Sequence, residues 1–162
     1  MYNSNPSYYA CKIINNLTGK EIIFPVMPQG ISESVTSTFT QQDIIGASIP
    51  KIVYSHTSAE TMNLSLTNLT EDYLVQGYKN LDEYVRTIKS LAYPEYSSGI
   101  VKSPDLTLFL GNRAINCVCN SVGVSWGNTV KNGGILSCSI DLSFIITRKS
   151  VPGGTDIIND IK

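Results

Sequence analysis

The stretch that decides the fold is "GGILSCSIDLSFIITRK", residues 133–149, in which apolar and small polar side chains alternate. An apolar side chain stands at every second position from Leu136 to Ile146, mostly with serine or aspartate between. This period of two predicts a β-strand with one face in the core. The other face is unusual, because a strand that faces bulk water commonly carries Lys or Glu.

Three more segments, residues 31–41, 61–69 and 118–126, are predicted to be strands of the same kind. Each alternates apolar residues with short Ser, Thr, Asn or Gly side chains. The apolar positions assigned to the last of them are Val118, Val122, Val124 and Trp126. The polar positions assigned to one nearly uncharged face are Ser34, Thr36, Thr38, Thr40, Asn63, Ser65, Thr67, Ser121, Ser125, Ser137, Ser139, Asp141 and Ser143.

Shorter strands are predicted at residues 10–15, 20–26 and 105–111, and a hairpin turn at Asn132–Gly133 joins the last two long strands. One helix is predicted over residues 81–92, because an apolar stripe there follows helical spacing. Asn80 before it is the expected N-cap, with Glu83 three residues on. The stripe consists of Leu81, Tyr84, Val85, Ile88 and Leu91.

Residues 41–60 follow no clean period and are interrupted by glycine and proline, which predicts a long excursion or extended hairpin. Residues 1–9 and 151–162 are expected to be terminal arms. The remainder shows no linker and no repeat, so the prediction is a single domain over residues 1–162. Neither a signal peptide nor an apolar run of about 18 residues is evident, so no membrane contact is expected.

The composition excludes some classes of partner. The chain has 162 residues, a net charge of -1 and only 15% charged residues, against about 25% in ordinary globular domains. A balanced charge argues against nucleic-acid binding through a basic face. Few charges together with many Ser, Thr and Asn residues suggest a surface that is largely covered by partner proteins.

No set of residues predicts catalysis, a metal site or a cofactor. Four cysteines lack ligand spacing, and His56 is the sole histidine. The sequence therefore predicts a protein that is not an enzyme. Two rival interpretations stay open: a β-sandwich carbohydrate-binding module with Trp126, Tyr54 and His56 as its binding edge, and a hydrolase with His56 as its base.

A smooth face of short hydroxyl side chains suits the lining of an aqueous channel. Long Lys or Glu side chains there would obstruct and bind whatever passes. Four strands are too few to enclose a channel, so several copies would have to contribute strands to one ring. A sheet covered by a polar partner would give the same pattern.

Most of the chain, about residues 22–147, resembles a known family. The segments "FPVMPQGISESVTSTF", "IPKIVYSHTSAETMNLSLT" and "YPEYSSGIVKSPDLTLFLGN…VGVSWGNTVKNGGILSCSIDLSF" are similar to phage baseplate and tail-tube-like proteins. The closer resemblance is to the tube-initiator or tube-like domain in baseplates of contractile-tailed phages and related injection particles. The order of these segments, and no single motif, carries the resemblance.

The resemblance implies a mainly β fold with one flanking helix: a two-sheet sandwich or partial barrel whose inner sheet joins a ring-shaped barrel. It also implies six-fold rings, with the polar face toward the lumen. Expected partners are further copies of the chain, tail tube protein and other baseplate or hub proteins, with tape-measure protein and DNA passing transiently. The expected location is the virion tail after assembly in the host cytoplasm, and the tail tube protein itself is the alternative. Expected contacts with an adjacent subunit or ring are Ile44, Ile45, Ile49, Tyr54 and His56.

Overall fold

The computed structural model describes residues 11–73, 77–127, 130–131, 134–135 and 137–147. The fold is mainly β with one α-helix, as predicted. In chain order the elements are β1 (Cys11–Asn15), β2 (Glu21–Ile23), β3 (Gln29–Ser34), β4 (Ser37–Gln42), β5 (Lys51–Thr57), β6 (Thr61–Thr70), a 3-10 turn (Glu71–Tyr73), α1 (Leu81–Ser90), β7 (Glu95–Ser97), β8 (Ile100–Lys102), β9 (Leu106–Leu110), β10 (Arg113–Trp126), β11 (Val130–Lys131), β12 (Gly134–Ile135) and β13 (Ser137–Ile146). The terminal arms predicted at residues 1–9 and 151–162 lie outside the described residues.

Seven strands form one open antiparallel sheet in the order β2-β1-β9-β10-β13-β6-β3. β10 divides this sheet, because its residues 113–117 pair with β9 whereas residues 117–126 pair with β13. We call β2, β1, β9 and the start of β10 the first layer, and the rest of β10 with β13, β6 and β3 the second layer. Buried side chains of both layers belong to one hydrophobic cluster, so the sheet folds over its own core in a sandwich-like arrangement.

The alternation predicted for the strand that ends at Ile146 is confirmed in β13. Cys138, Ile140, Leu142 and Phe144 are at most 2% exposed, and the serines between them are half-buried. Leu136 lies outside the described residues. Burying a large apolar side chain stabilises the fold by about 1.5–3 kcal/mol, so this strand and the matching apolar residues of β6 hold the second layer on the core.

A β-bulge overturns the predicted face of Val118. The pairing of β10 with β13 shifts by one residue between Cys119 and Ser121. Cys119 pairs with Phe144 on the core side, and Val118 therefore points to the opposite side from Val122. Because strand faces alternate with a period of two, one inserted residue exchanges the faces on its two sides.

Helix α1 begins as predicted and ends two residues earlier. The Asn80 side chain accepts a hydrogen bond from the Glu83 backbone N–H at 2.8 Å, which confirms the N-cap. The apolar stripe is buried, with Tyr84 and Ile88 fully enclosed. The Tyr84 hydroxyl donates to the Ile23 carbonyl at 3.2 Å and thereby ties the helix to the β2 edge.

Two predicted strands have different bounds. The continuous strand predicted over residues 31–41 is wrong, because the chain leaves the main sheet after Ser34 and residues 37–42 pair with β5. The strand predicted over residues 20–26 ends at Ile23, shortly before Pro25, which has no N–H to donate to a ladder.

Two further hairpins complete the described chain. β11 and β12 pair in register on either side of residues 132–133, where the sequence predicts a turn; those two residues themselves are not described. The hairpin of β7 and β8 was not predicted. Its turn residues Ser98 and Gly99 both have positive φ, 51° and 77°, which is the type I′ geometry favoured in two-residue hairpins.

Candidate functional site

The polar residues of the second layer form one continuous face. Cross-strand pairing places Ser143 of β13 opposite Ser121 of β10 and Asn63 of β6, and Asp141 opposite Ser65. Paired residues of an antiparallel sheet point to the same side. The small polar side chains of three neighbouring strands therefore share the side that faces away from the core.

Edge strand β3 extends this face by Ser34, which was predicted, and by Ser32 and Gln29, which were not; Thr61 of β6 was not predicted either. Ser32 pairs with Asn63, Ser34 pairs with Thr61, and Gln29 pairs with Ser65. Ser32 alternates with Ser34 in the sequence, so the period of two could have identified it. We define the hydroxyl face as Gln29, Ser32, Ser34, Thr61, Asn63, Ser65, Thr67, Ser121, Ser125, Ser137, Ser139, Asp141 and Ser143.

Three residues predicted for this face do not lie on it. Thr36 belongs to the link between β3 and β4, and Thr38 and Thr40 lie on β4, which pairs with β5 outside the main sheet. The alternation continues through the link, but the strand changes its partner. The remaining predicted positions all lie on the second layer.

Six of the thirteen residues of the hydroxyl face are joined in pairs by side-chain hydrogen bonds. The Ser65 hydroxyl donates to Asp141 at 2.5 Å, the Ser34 and Thr61 hydroxyls are 2.8 Å apart, and the Thr67 hydroxyl donates to Gln29 at 3.2 Å. Asp141 is the one ionisable residue of the defined face. The defined face holds no cationic side chain, so it offers little that would bind a polyanion.

Both edges of the second layer are free within the described part of the chain. β3 pairs with β6 alone, and all six of its residues are exposed. Beyond Cys117, β10 pairs with β13 alone. Free strand edges carry unpaired N–H and C=O groups that readily pair with another chain.

The predicted excursion is a hairpin of β4 and β5 that prolongs the β3–β6 ribbon past the end of the main sheet. At its base, the Ser58 N–H donates to the Thr36 carbonyl at 2.8 Å. Further out, the rings of Phe39 and Tyr54 pack edge to face with centroids 5.8 Å apart. Nearly every residue of the hairpin is exposed, including the predicted contact residues Ile44, Ile45, Ile49, Tyr54 and His56.

This projecting hairpin bears a large apolar surface. Ile45 at its tip is fully exposed, and Ile49 is 78% exposed. On its flank Ile52, Phe39 and Tyr54 are each more than half exposed. A soluble monomer rarely leaves so many large apolar side chains together in water, so such a surface indicates a protein contact.

The residues of the carbohydrate-binding alternative do not come together. Trp126 lies at the row of Cys138, whereas the hairpin that carries Tyr54 and His56 begins beyond Thr61, in the row of Ile145. Seven residues of β13 separate those rows, or about 23 Å at 3.3 Å per residue. The hydrolase alternative places its base on the same exposed hairpin, where the His56 ring nitrogen Nδ1 lies 3.2 Å from the Ser55 hydroxyl.

The cysteines are structural. All four are free thiols, and Cys11, Cys117 and Cys138 are buried. Burial raises the pKa of Cys117 to about 12 and the pKa of Cys138 to about 11, so these thiols stay protonated near neutral pH and are poor nucleophiles. Among the residues that the structure describes, no cluster of His, Cys, Asp or Glu could hold a metal ion, and no helix has the length and apolarity to cross a membrane.

No protein-family model matches the chain, and no curated protein does. Solved structures that are similar include chains of a GTA tail, of an extracellular contractile injection system and of the anti-feeding prophage. One is a chain in the tail of an empty GTA particle with C6 symmetry: 10% identity, TM-score 0.45, and a match over 92% of this chain and 98% of that one.

Another similar chain belongs to the extended sheath-tube complex of PVC, an extracellular contractile injection system. It has 12% identity and a TM-score of 0.41 over 91% of this chain and 90% of that one. A third is the tube terminating cap of the anti-feeding prophage, with 14% identity and a TM-score of 0.39 over 86% and 89%. All three TM-scores lie below 0.5.

Proposed function

We propose that this chain is a structural subunit of a contractile-type tail, which closes with further copies into a ring lined by the hydroxyl face. The observation that carries the proposal is that face: a second layer with one side in the core, the other side nearly free of charge, and a free strand at each edge. The sequence resemblance to tail-tube-like proteins supports the same function.

The strand directions suit ring closure. Neighbouring strands of the second layer are antiparallel, so β3 and the free part of β10 run in opposite directions. β3 of one copy can therefore pair with β10 of the next in the antiparallel manner, and every joint of a cyclic ring is the same. Six copies would close about 24 strands, above the 16–18 strands that already leave an aqueous channel.

In such a ring the hydroxyl face lines the bore. Its short side chains leave the passage open, and it holds no cation that would retain a polyanion. Tape-measure protein and then DNA are the passengers that the family resemblance implies. No catalytic group is needed, because the ring acts by geometry: its rim is the template for the next ring.

The β4–β5 hairpin then makes the contact between rings. It projects past the end of the second layer and carries an apolar tip with few charges nearby. We assign its partner as a copy of this chain in the adjacent ring, where Ile45 and Ile49 would be buried. Within the tail, the position we favour is the baseplate, where stacked rings of this chain would initiate or continue the tube.

Electron microscopy and sedimentation of the full chain test the function. We expect closed rings with a central opening of constant diameter, which stack at higher protein concentration. A chain that stays monomeric at every concentration, and also fails to join rings of tube protein, would refute the ring. Binding of the monomer to a glycan array would instead favour the carbohydrate-binding module.

A further inference from the structure

An ion pair joins edge strand β3 to the first residue of β10. Arg113 Nη1 lies 2.7 Å from Glu33 Oε1, and the Glu33 side chain is only 31% exposed. Two strands, β13 and β6, lie between β10 and β3 in the sheet. The contact therefore does not follow from strand pairing, and it needs another explanation.

The row of Glu33 shows how far the sheet must bend to make this contact. Glu33 pairs with Met62, Met62 with Phe144, and Phe144 with Cys119. Arg113 lies six residues before Cys119, so on a flat sheet it would stand about 20 Å from that row. The ion pair instead joins the two layers directly, because β10 carries Arg113 into the first layer while Glu33 lies in the second.

Both side chains lie on the inner side of the sheet. Glu33 shares its row and its side with the fully buried Met62 and Phe144. Arg113 alternates with Ile115 and Cys117, which also face the core. The pair therefore spans the open margin of the sandwich, at the edge where the second layer ends.

Apart from this ion pair, strand β3 is held by β6, through the ladder and through the side-chain hydrogen bonds of Ser34 with Thr61 and of Gln29 with Thr67. It has one neighbouring strand, all of its residues are exposed, and its register to β6 slips between Gln29 and Ser32. An edge with these properties opens readily. An edge that must accept a strand of another copy gains from being ordered beforehand, since ordering it on binding would weaken the joint.

We propose that Arg113 is a positioning residue for assembly: its ion pair with Glu33 straps β3 to the first layer and keeps that edge ready for the β10 strand of a second copy. This inference rests on the proposed ring. Exposed ion pairs contribute little to global stability, so the strap acts on the order of the edge and leaves the fold intact.

Hydrogen exchange and ring yield of the full chain test the strap. In dilute, monomeric protein, Arg113→Ala and Glu33→Ala should each speed amide exchange of residues 29–34 by about 3-fold or more. Exchange of residues 138–144 should stay unchanged, which shows that the core is intact. At higher concentration the same variants should form rings at lower yield.

Two further variants sharpen the test. The charge swap Arg113→Glu with Glu33→Arg should restore slow exchange and ring yield. Lys12→Ala is the matched control, because it removes a comparably exposed pair, Lys12 with Glu21 at 3.0 Å, from the opposite edge of the sheet; it should change neither.

Unchanged amide exchange of β3 in Arg113→Ala would overturn the strap. So would a charge-swap variant that folds but restores neither slow exchange nor ring yield. If the wild-type chain forms no ring, the assembly role falls together with the proposed function. Faster exchange of β3 in Arg113→Ala would even then support the strap itself, so the two failures can be told apart.

Discussion

Adjacent residues of β13 occupy opposite environments. Leu142 is 2% exposed in the core, and Ser143 beside it lies on the hydroxyl face. Leu142→Asp should destabilise the chain by about 3 kcal/mol or more, because it removes a buried side chain and buries a charge without a partner. Urea denaturation followed by circular dichroism measures the loss.

Ser143→Asp is the control, since it introduces the same side chain one position away. It should change the free energy of unfolding by less than about 1 kcal/mol, because Ser143 is half-buried on the side of the sheet that faces away from the core. The opposite ranking of the two variants would show that the core and polar faces have been exchanged.

Gly123 in β10 and Gly127 directly after β10 differ in the space available for a side chain. A Cβ at Gly127 would overlap the hydroxyl of Ser137 and lie 3.1 Å from its carbonyl oxygen, whereas a Cβ at Gly123 would lie 3.7 Å from the Asp141 Cβ. Gly127→Ala should therefore cost about 1–3 kcal/mol through overpacking. Gly123→Ala should be neutral or slightly stabilising. Thermal unfolding of both variants measures the two changes in stability. Equal changes would contradict the close approach of Gly127 to Ser137.

At the scale of elements, the sequence predicts those strands whose pattern is local. β13 alternates without interruption over its buried length, β6 does so from Met62 to Leu66, and both were predicted with the correct face. The pattern fails where pairing, and not composition, changes: a bulge turns Val118 to the other side, and the link after Ser34 moves Thr38 and Thr40 to a new partner strand. The link after Ser34 leaves the alternation of residue types unchanged. At the bulge, polar Asn120 stands at a position that the period of two assigns to the apolar face, and this residue is the local sign of the shift.

The β4–β5 hairpin is the element whose role can be tested separately from the body. Ile45→Glu combined with Ile49→Glu should leave the stability of the monomer within about 0.5 kcal/mol, because both side chains are exposed. The same change should abolish stacking of rings, since it places charges in the apolar contact. Sedimentation and electron microscopy report the two effects.

Gln42→Glu supplies the control for added charge on this hairpin, because Gln42 is an exposed polar residue at the end of β4. Rings of this variant should still stack at low ionic strength, where repulsion between added charges is least screened. If the isoleucine variant stacks as well as Gln42→Glu, the hairpin tip does not join the rings.

At the scale of the whole molecule, the residue types of the hydroxyl face were visible in the sequence, but its outline was not. The face extends onto β3 because the pairing register places Ser32 and Gln29 beside β6. The ion pair of Arg113 with Glu33, 80 residues apart in the chain, depends on how β10 passes between layers. Such contacts follow from tertiary geometry, and no short-range pattern encodes them.

The bore is the property of the assembled molecule that a single side chain can probe. Ser139 is the third residue of β13 and lies opposite Ser125 on the hydroxyl face. Ser139→Trp should leave the subunit folded, with a change in stability of less than about 1 kcal/mol, and should add density to the opening of every ring. Glu21→Trp places the same bulk on the exposed β2 edge and should leave the opening clear. Image averages of both variants measure the diameter of the bore: an unobstructed opening in Ser139→Trp would put the hydroxyl face outside the ring, and an unfolded subunit would show that this face is buried within the chain.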